Sequence, residues 1–273
     1  MRHSTDRFRI LIPCDYSLAC KQALEACATL DWRMPVEVFI LTVEDPMQAG
    51  AREMMDERLL AEWVKVFSPD INVRNLQAKG RFVNVVLEAL AIHGIDLVIA
   101  GTRGARGWEG VFLGSHAERI VRVSPVPVLA IPQRPHLTGL RDIVLPIDID
   151  RDPVELRACM RKIPGLFNGR YHLLHVQTSP AGSERAAMKL LGEYSRHLRL
   201  GHCTSSVIFN ESVAGGILRY ATQAGADLIA LGTSGSPDPA HMFRPSVAAD
   251  IVNHAKIPVL TFQLSHRQVS VSF

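Results

Sequence analysis

The chain has 273 residues, 47% of them apolar and only 6% aromatic, a length that favours two domains built on ordinary aliphatic cores. A formal net charge of +3 with no Lys/Arg block gives no electrostatic case for a nucleic-acid partner. No stretch approaches the roughly 20 apolar residues of a membrane span, and MRHSTDRFRI lacks the apolar run of a secretory signal, so a soluble cytoplasmic protein is expected.

Taken in chain order, the hydrophobic period switches between two and 3.6. FRILIP (8–13) reads as a short apolar strand and 17–30 as a helix. VEVFILTV (36–43) is a second strand, and 53–67 a second helix. INVRNLQA (71–78) alternates like a strand with one partly wet face. In the helix after it, Phe82, Val86, Ala89 and Leu90 share a side. DLVIAG (96–101) is a buried strand, 115–123 a helix and VPVLAI (126–131) a last strand. Five strands alternating with four helices imply a parallel, doubly wound α/β sheet.

The pattern then restarts. RDIVLPID (141–148) matches FRILIPCD (8–15), and YHLLHV (171–176) matches VFILTV (38–43). ADLIALGTSG (226–235) matches IDLVIAGTRG (95–104), and AKIPVLTF (255–262) matches SPVPVLAI (124–131). The chain is a tandem repeat, with domains expected at 1–134 and 140–273 and a Pro/Gly-bearing linker near PQRPHLTG (132–139).

Five cysteines, Cys14, Cys20, Cys27, Cys159 and Cys203, form no CxxC, and Cys20 and Cys27 share one helix face. They read as small buried hydrophobes. The histidines form no HxxxH or HExxH, so no metal site is expected.

Ligands of open α/β sheets sit beyond the carboxyl ends of the strands. That edge offers Pro13 and Asp15 after the first strand, Val43 after the second and Gly101 to Gly104 after the fourth. Glycine there lets backbone approach a ligand closely. Gly114 and Ser115 open a helix whose free N–H groups favour an anion. Walker A, G-x-G-x-x-G after the first strand and G-x-S-x-G are all absent.

Gly101-x-x-Gly104, nine residues, then Gly114-Ser115 is the G-x2-G-x9-G-[ST] motif. With the leading strand ending in Asp15 and the closing PVPVLAIP, the chain resembles a tandem universal stress protein. That resemblance implies two flavodoxin-like (adenine nucleotide alpha hydrolase-like) α/β domains. Each would hold a five-stranded parallel sheet of order 3-2-1-4-5 with helices on both faces. It further implies ATP, with or without Mg2+, as the ligand. Asp15 and the backbone of Val43 would contact adenine and ribose, and Gly101, Gly104, Gly114, Ser115 and His116 would line the phosphates. His116 departs from the small apolar residue usual there, and it either touches a phosphate or faces water. Arg103 and Arg106 either reach phosphate oxygens or remain solvated.

The second copy keeps Asp148, Val176, Gly232, Gly235 and Ser246, but Pro245 stands where Gly114 stands. Proline has no N–H to offer a phosphate, so a weaker second site or none is expected. Only Asp15, with Glu109 in the loop, is acidic at the first site, which speaks against a dedicated ATPase. The expectation is a stress-response binding protein, not an enzyme. The alternative is a nucleotide-free scaffold or apolar-ligand binder acting through protein partners. The resemblance also implies a homodimer or an internal pseudo-dimer joined near the last strand of each half.

Overall fold

The computed structural model describes residues 7–32, 34–44, 57–102, 116–133, 140–149, 169–180, 182–233 and 246–264. In the first half, β1 (Phe8–Cys14) leads to α1 (Leu18–Thr29), then β2 (Val36–Glu44) and α2 (Glu57–Trp63). A 3-10 turn (Val64–Val66) precedes β3 (Asn72–Lys79), α3 (Phe82–His93), β4 (Leu97–Gly101), α4 (His116–Val123) and β5 (Val128–Ile131). The second half holds β6 (Asp142–Pro146), β7 (Arg170–Gln177), α5 (Glu184–Leu198), β8 (His202–Phe209), α6 (Val213–Gln223), β9 (Leu228–Thr233), α7 (Val247–His254) and β10 (Val259–Gln263).

Local chemistry explains most of these boundaries. Ser17, Ser183, Ser212 and Ser246 each accept a backbone N–H from three residues on, capping α1, α5, α6 and α7. Gly94 closes α3 in the left-handed conformation (φ 58°), which glycine adopts without a Cβ penalty. The second helix ends earlier than the period suggests. Its described part ends in the 3-10 turn, where Phe67 N–H bonds to Val64, and residues 53–56 lie outside the described residues. The strand expected from 126 starts at Val128, because Pro127 has no N–H to pair and Ser124 holds both backbone groups of Val126.

Among the described residues, ten strands join one sheet, in the order β3-β2-β1-β4-β5-β10-β9-β6-β7-β8. Each half therefore has the order 3-2-1-4-5 with parallel pairing inside it. The halves meet where β5 and β10 pair antiparallel, with Val259 opposite Ala130, Leu260 opposite Leu129 and Thr261 opposite Val128. Hydrophobic side chains alternate between two layers. Ile10, Ile12 and Leu129 face the layer that includes α1 and α5, whereas Leu11, Val98 and Val128 face the layer of α3, α4, α6 and α7. Asn253 on α7 donates to Glu118 on α4 (3.0 Å), and Arg122 pairs with the same carboxylate (2.8 Å).

Leu260 is fully buried at this seam. Leu260→Ala should lower the unfolding free energy by about 2–5 kcal/mol, the usual cost of emptying a leucine site. Denaturant unfolding reads this as a lower midpoint, and an unchanged midpoint would refute the packing described.

Candidate functional site

The carboxyl edge of the first-half sheet begins at the end of β1. Asp15 Oδ1 accepts the Ser17 N–H (3.1 Å), and Ser17 Oγ accepts the Cys20 N–H (3.3 Å), so the turn feeds directly into α1. Between them Tyr16 lies in the left-handed region at φ 58°, a position that costs energy for a residue with a Cβ. Its ring sits 6.5 Å from Trp63. Beside it opens a cavity of about 290 Å³ lined by Tyr16, Thr42, Leu60, Asn75, Leu76 and Gln77. A buried threonine, two carboxamides and two leucines can hold a small planar, hydrogen-bonding group.

Pro13 pairs with Leu41 and is half-buried. Val43 points its side chain into the core, which leaves only its backbone for a ligand.

At the end of β4, Gly101 pairs with Ile131. A Cβ on Gly101 would collide with the carbonyl oxygen of Ala19 on α1, so close helix packing by itself requires this glycine. Thr102 follows. Its N–H bonds to Ile131 (2.7 Å), it is 2% exposed, and its hydroxyl has no partner among the described residues. Arg103, Gly104, Arg106, Glu109, Gly114 and Ser115 lie outside the described residues, and of His116 only the backbone that opens α4 is described.

The second half answers these features differently. Asp148 is exposed, and its carbonyl accepts the hydroxyl of Tyr194 from α5 (3.0 Å). His175 holds the position of Thr42 and places Nδ1 3.2 Å from the Ile147 carbonyl. A Cβ on Gly232 would run into the side chain of Leu264. Thr233, the counterpart of Thr102, donates its hydroxyl to the Phe262 carbonyl (3.1 Å). Ser246 Oγ is engaged as the cap of α7 (3.4 Å to the Ala249 N–H), and Val176 is buried against α6. Gly235 and Pro245 lie outside the described residues.

Sequence reasoning overlooked Thr102, Thr42 and Tyr16. The motif marks glycines, whereas Thr42 and Thr102 stand out through burial and Tyr16 through its left-handed backbone, which only the packed structure shows. Among the described residues no group of three or more His, Cys, Asp or Glu side chains could hold a metal ion, and no helix is long and apolar enough to cross a membrane.

The sequence model of the universal stress protein family matches residues 7–132 and again 141–263. A universal stress protein of Methanocaldococcus jannaschii is 27% identical over 138 residues, covering 45% of this chain and 81% of the relative. A universal stress protein structure from Archaeoglobus fulgidus superposes with a TM-score of 0.70 at 18% identity, covering 94% of this chain and 97% of the other. A Pseudomonas aeruginosa structure described as a universal stress protein gives 0.68 at 16% identity, covering 95% and 94%. At these identities the structures share the fold.

Gly101→Ala should destabilise the protein by about 1–3 kcal/mol, the range for forcing extra volume into a packed core. A thermal melt unchanged from wild type would contradict the contact with Ala19.

Proposed function

The chain belongs to the universal stress protein family, and from that membership we propose that it is a stress-response binding protein holding ATP in its first half. The observation that carries this reading is the contrast between Thr102 and Thr233. A buried hydroxyl without a hydrogen bond costs about 1–3 kcal/mol, and the second half avoids that cost through Phe262. The first half leaves Thr102 unmatched among the described residues, at the strand end where the glycine motif begins. A phosphate or ribose oxygen supplies the missing partner.

The residues fit such a ligand. Pro13, Asp15 and the backbone of Val43 would hold the adenosine end. Gly101, Gly104, Gly114, Ser115, Arg103 and His116 would hold the phosphates, with Mg2+ left open. The nucleotide serves as a bound signal, and one acidic side chain at the turn gives little support for a dedicated hydrolase. The domains are proposed at 1–134 and 140–273, in a cytoplasmic protein whose halves form an internal pseudo-dimer.

A second reading, a nucleotide-free scaffold, is favoured by one observation. Gly101 and Gly232 both have close-packed neighbours that explain them without a ligand.

Calorimetry with ATP separates the two readings. One site per chain is expected, weakened at least about tenfold by Thr102→Val, a loss of roughly 1.4 kcal/mol. Thr102→Val should leave thermal stability unchanged or raised, because it removes an orphaned polar group. Thr233→Val should instead cost about 1 kcal/mol of stability and leave ATP binding intact. No heat of binding in wild type would favour the scaffold.

A further inference from the structure

Beneath the cavity, two thiols meet. Cys20, in the first turn of α1, points its S–H at Cys14, the last residue of β1, with the sulfurs 2.6 Å apart. Both residues are almost fully buried, at 3% and 4% exposure, and neither is in a disulfide. Cys14 stands directly across from Thr42 in the β1–β2 register. Cross-strand partners project to the same face, so Cys14 is the neighbour of a side chain that lines the cavity. The cavity and the pair thus share one face of the sheet.

We propose that Cys14 and Cys20 form an oxidation site for small hydroperoxides, closing to a reversible disulfide across the β1–α1 turn. Cys14 is the acceptor of that contact, so the reaction is written with Cys14 attacking and Cys20 resolving. The hydrogen bond to Cys14, together with burial, pushes the Cys20 thiol well above its ordinary pKa and keeps it protonated as that donor. In the first step the Cys14 sulfur attacks the terminal oxygen of the hydroperoxide. The O–O bond breaks, the thiol proton leaves on the departing alcohol (water, for hydrogen peroxide), and Cys14 becomes a sulfenic acid. In the second, the Cys20 sulfur attacks that sulfur and displaces hydroxide, which takes the Cys20 proton and leaves as water. Two electrons pass from the two sulfurs to the peroxide, and the ledger of atoms closes.

The fold itself does not require sulfur here. In the second half Ile147 occupies the position of Cys14, equally buried, so an aliphatic side chain satisfies the packing. Cys27 provides the contrast within the same helix. It is fully buried and, among the described residues, has no sulfur beside it, so it has no partner with which to close a disulfide. The ring closed by the disulfide would contain Asp15, the left-handed Tyr16 and Ser17.

The proposal does not rest on the ATP reading and is tested on the full-length reduced chain. The protein is treated with hydrogen peroxide, alkylated under denaturing conditions and digested with trypsin. Cleavage after Arg9 and Lys21 places both cysteines in one peptide, residues 10–21. The expected result is a peptide lighter by two hydrogens that resists alkylation and becomes doubly alkylated after dithiothreitol. Cys27 should remain alkylatable throughout. Cys14→Ser and Cys20→Ser should each abolish the two-hydrogen loss. A peptide that stays doubly alkylatable while the partly exposed Cys203 is oxidised would overturn the proposal. So would oxygen accumulating on one of the two cysteines with the other left free.

Discussion

The structure turns on the antiparallel pairing of β5 with β10. A last strand leaves a row of backbone N–H and C=O groups with no neighbour, a standing invitation to pair with another chain. Here each half covers the other's exposed edge. Val128 to Ala130 and Val259 to Thr261 are all nearly solvent-free, which is possible only because both sides of each strand are occupied. Parallel order within the halves places their carboxyl edges at β1, β2 and β4, or β6, β7 and β9. The seam thus yields one continuous sheet carrying two candidate sites.

With that scaffold shared, differences between the halves become informative. The amino edge shows what the fold needs regardless of residue identity. In the first half Arg9 and Arg74 pair with Glu37, and in the second Arg170 and His172 face Asp142. The signs across the first two strands are reversed while the cross-strand attraction persists. Arg170 in particular holds the Asp142 carboxyl below its ordinary pKa. The carboxyl edge behaves differently. There His175 stands for Thr42, and the Phe262 carbonyl receives the Thr233 hydroxyl where the Thr102 hydroxyl has no partner among the described residues.

The alternation of strands and helices was legible in the sequence because buried parallel strands are short apolar runs and the repeat offset marked four of the five in each half, β3 and β8 having no matched block. Phe82, Val86, Ala89 and Leu90 are all buried on α3, as their spacing implies. Contacts between distant elements were not legible. Gly101 stood out as a place for close ligand approach, yet Ala19, eighty-two residues earlier, already occupies the space a Cβ would take. The cysteines show the same limit. Spacing places Cys20 and Cys27 on one helix face, but Cys14 lies on a strand, and only the Asp15–Ser17 turn brings its sulfur to Cys20. Periodicity describes an element; contacts between elements depend on turns whose geometry it does not encode.

The central claim is that a shared fold carries nucleotide in the first half alone. Amide hydrogen exchange with and without saturating ATP tests it most directly, since peptides report position and binding together. The account predicts slower exchange in peptides spanning residues 10–20 and 97–123, with no change in 226–254. Protection of 226–254, or none in the first half, would contradict it.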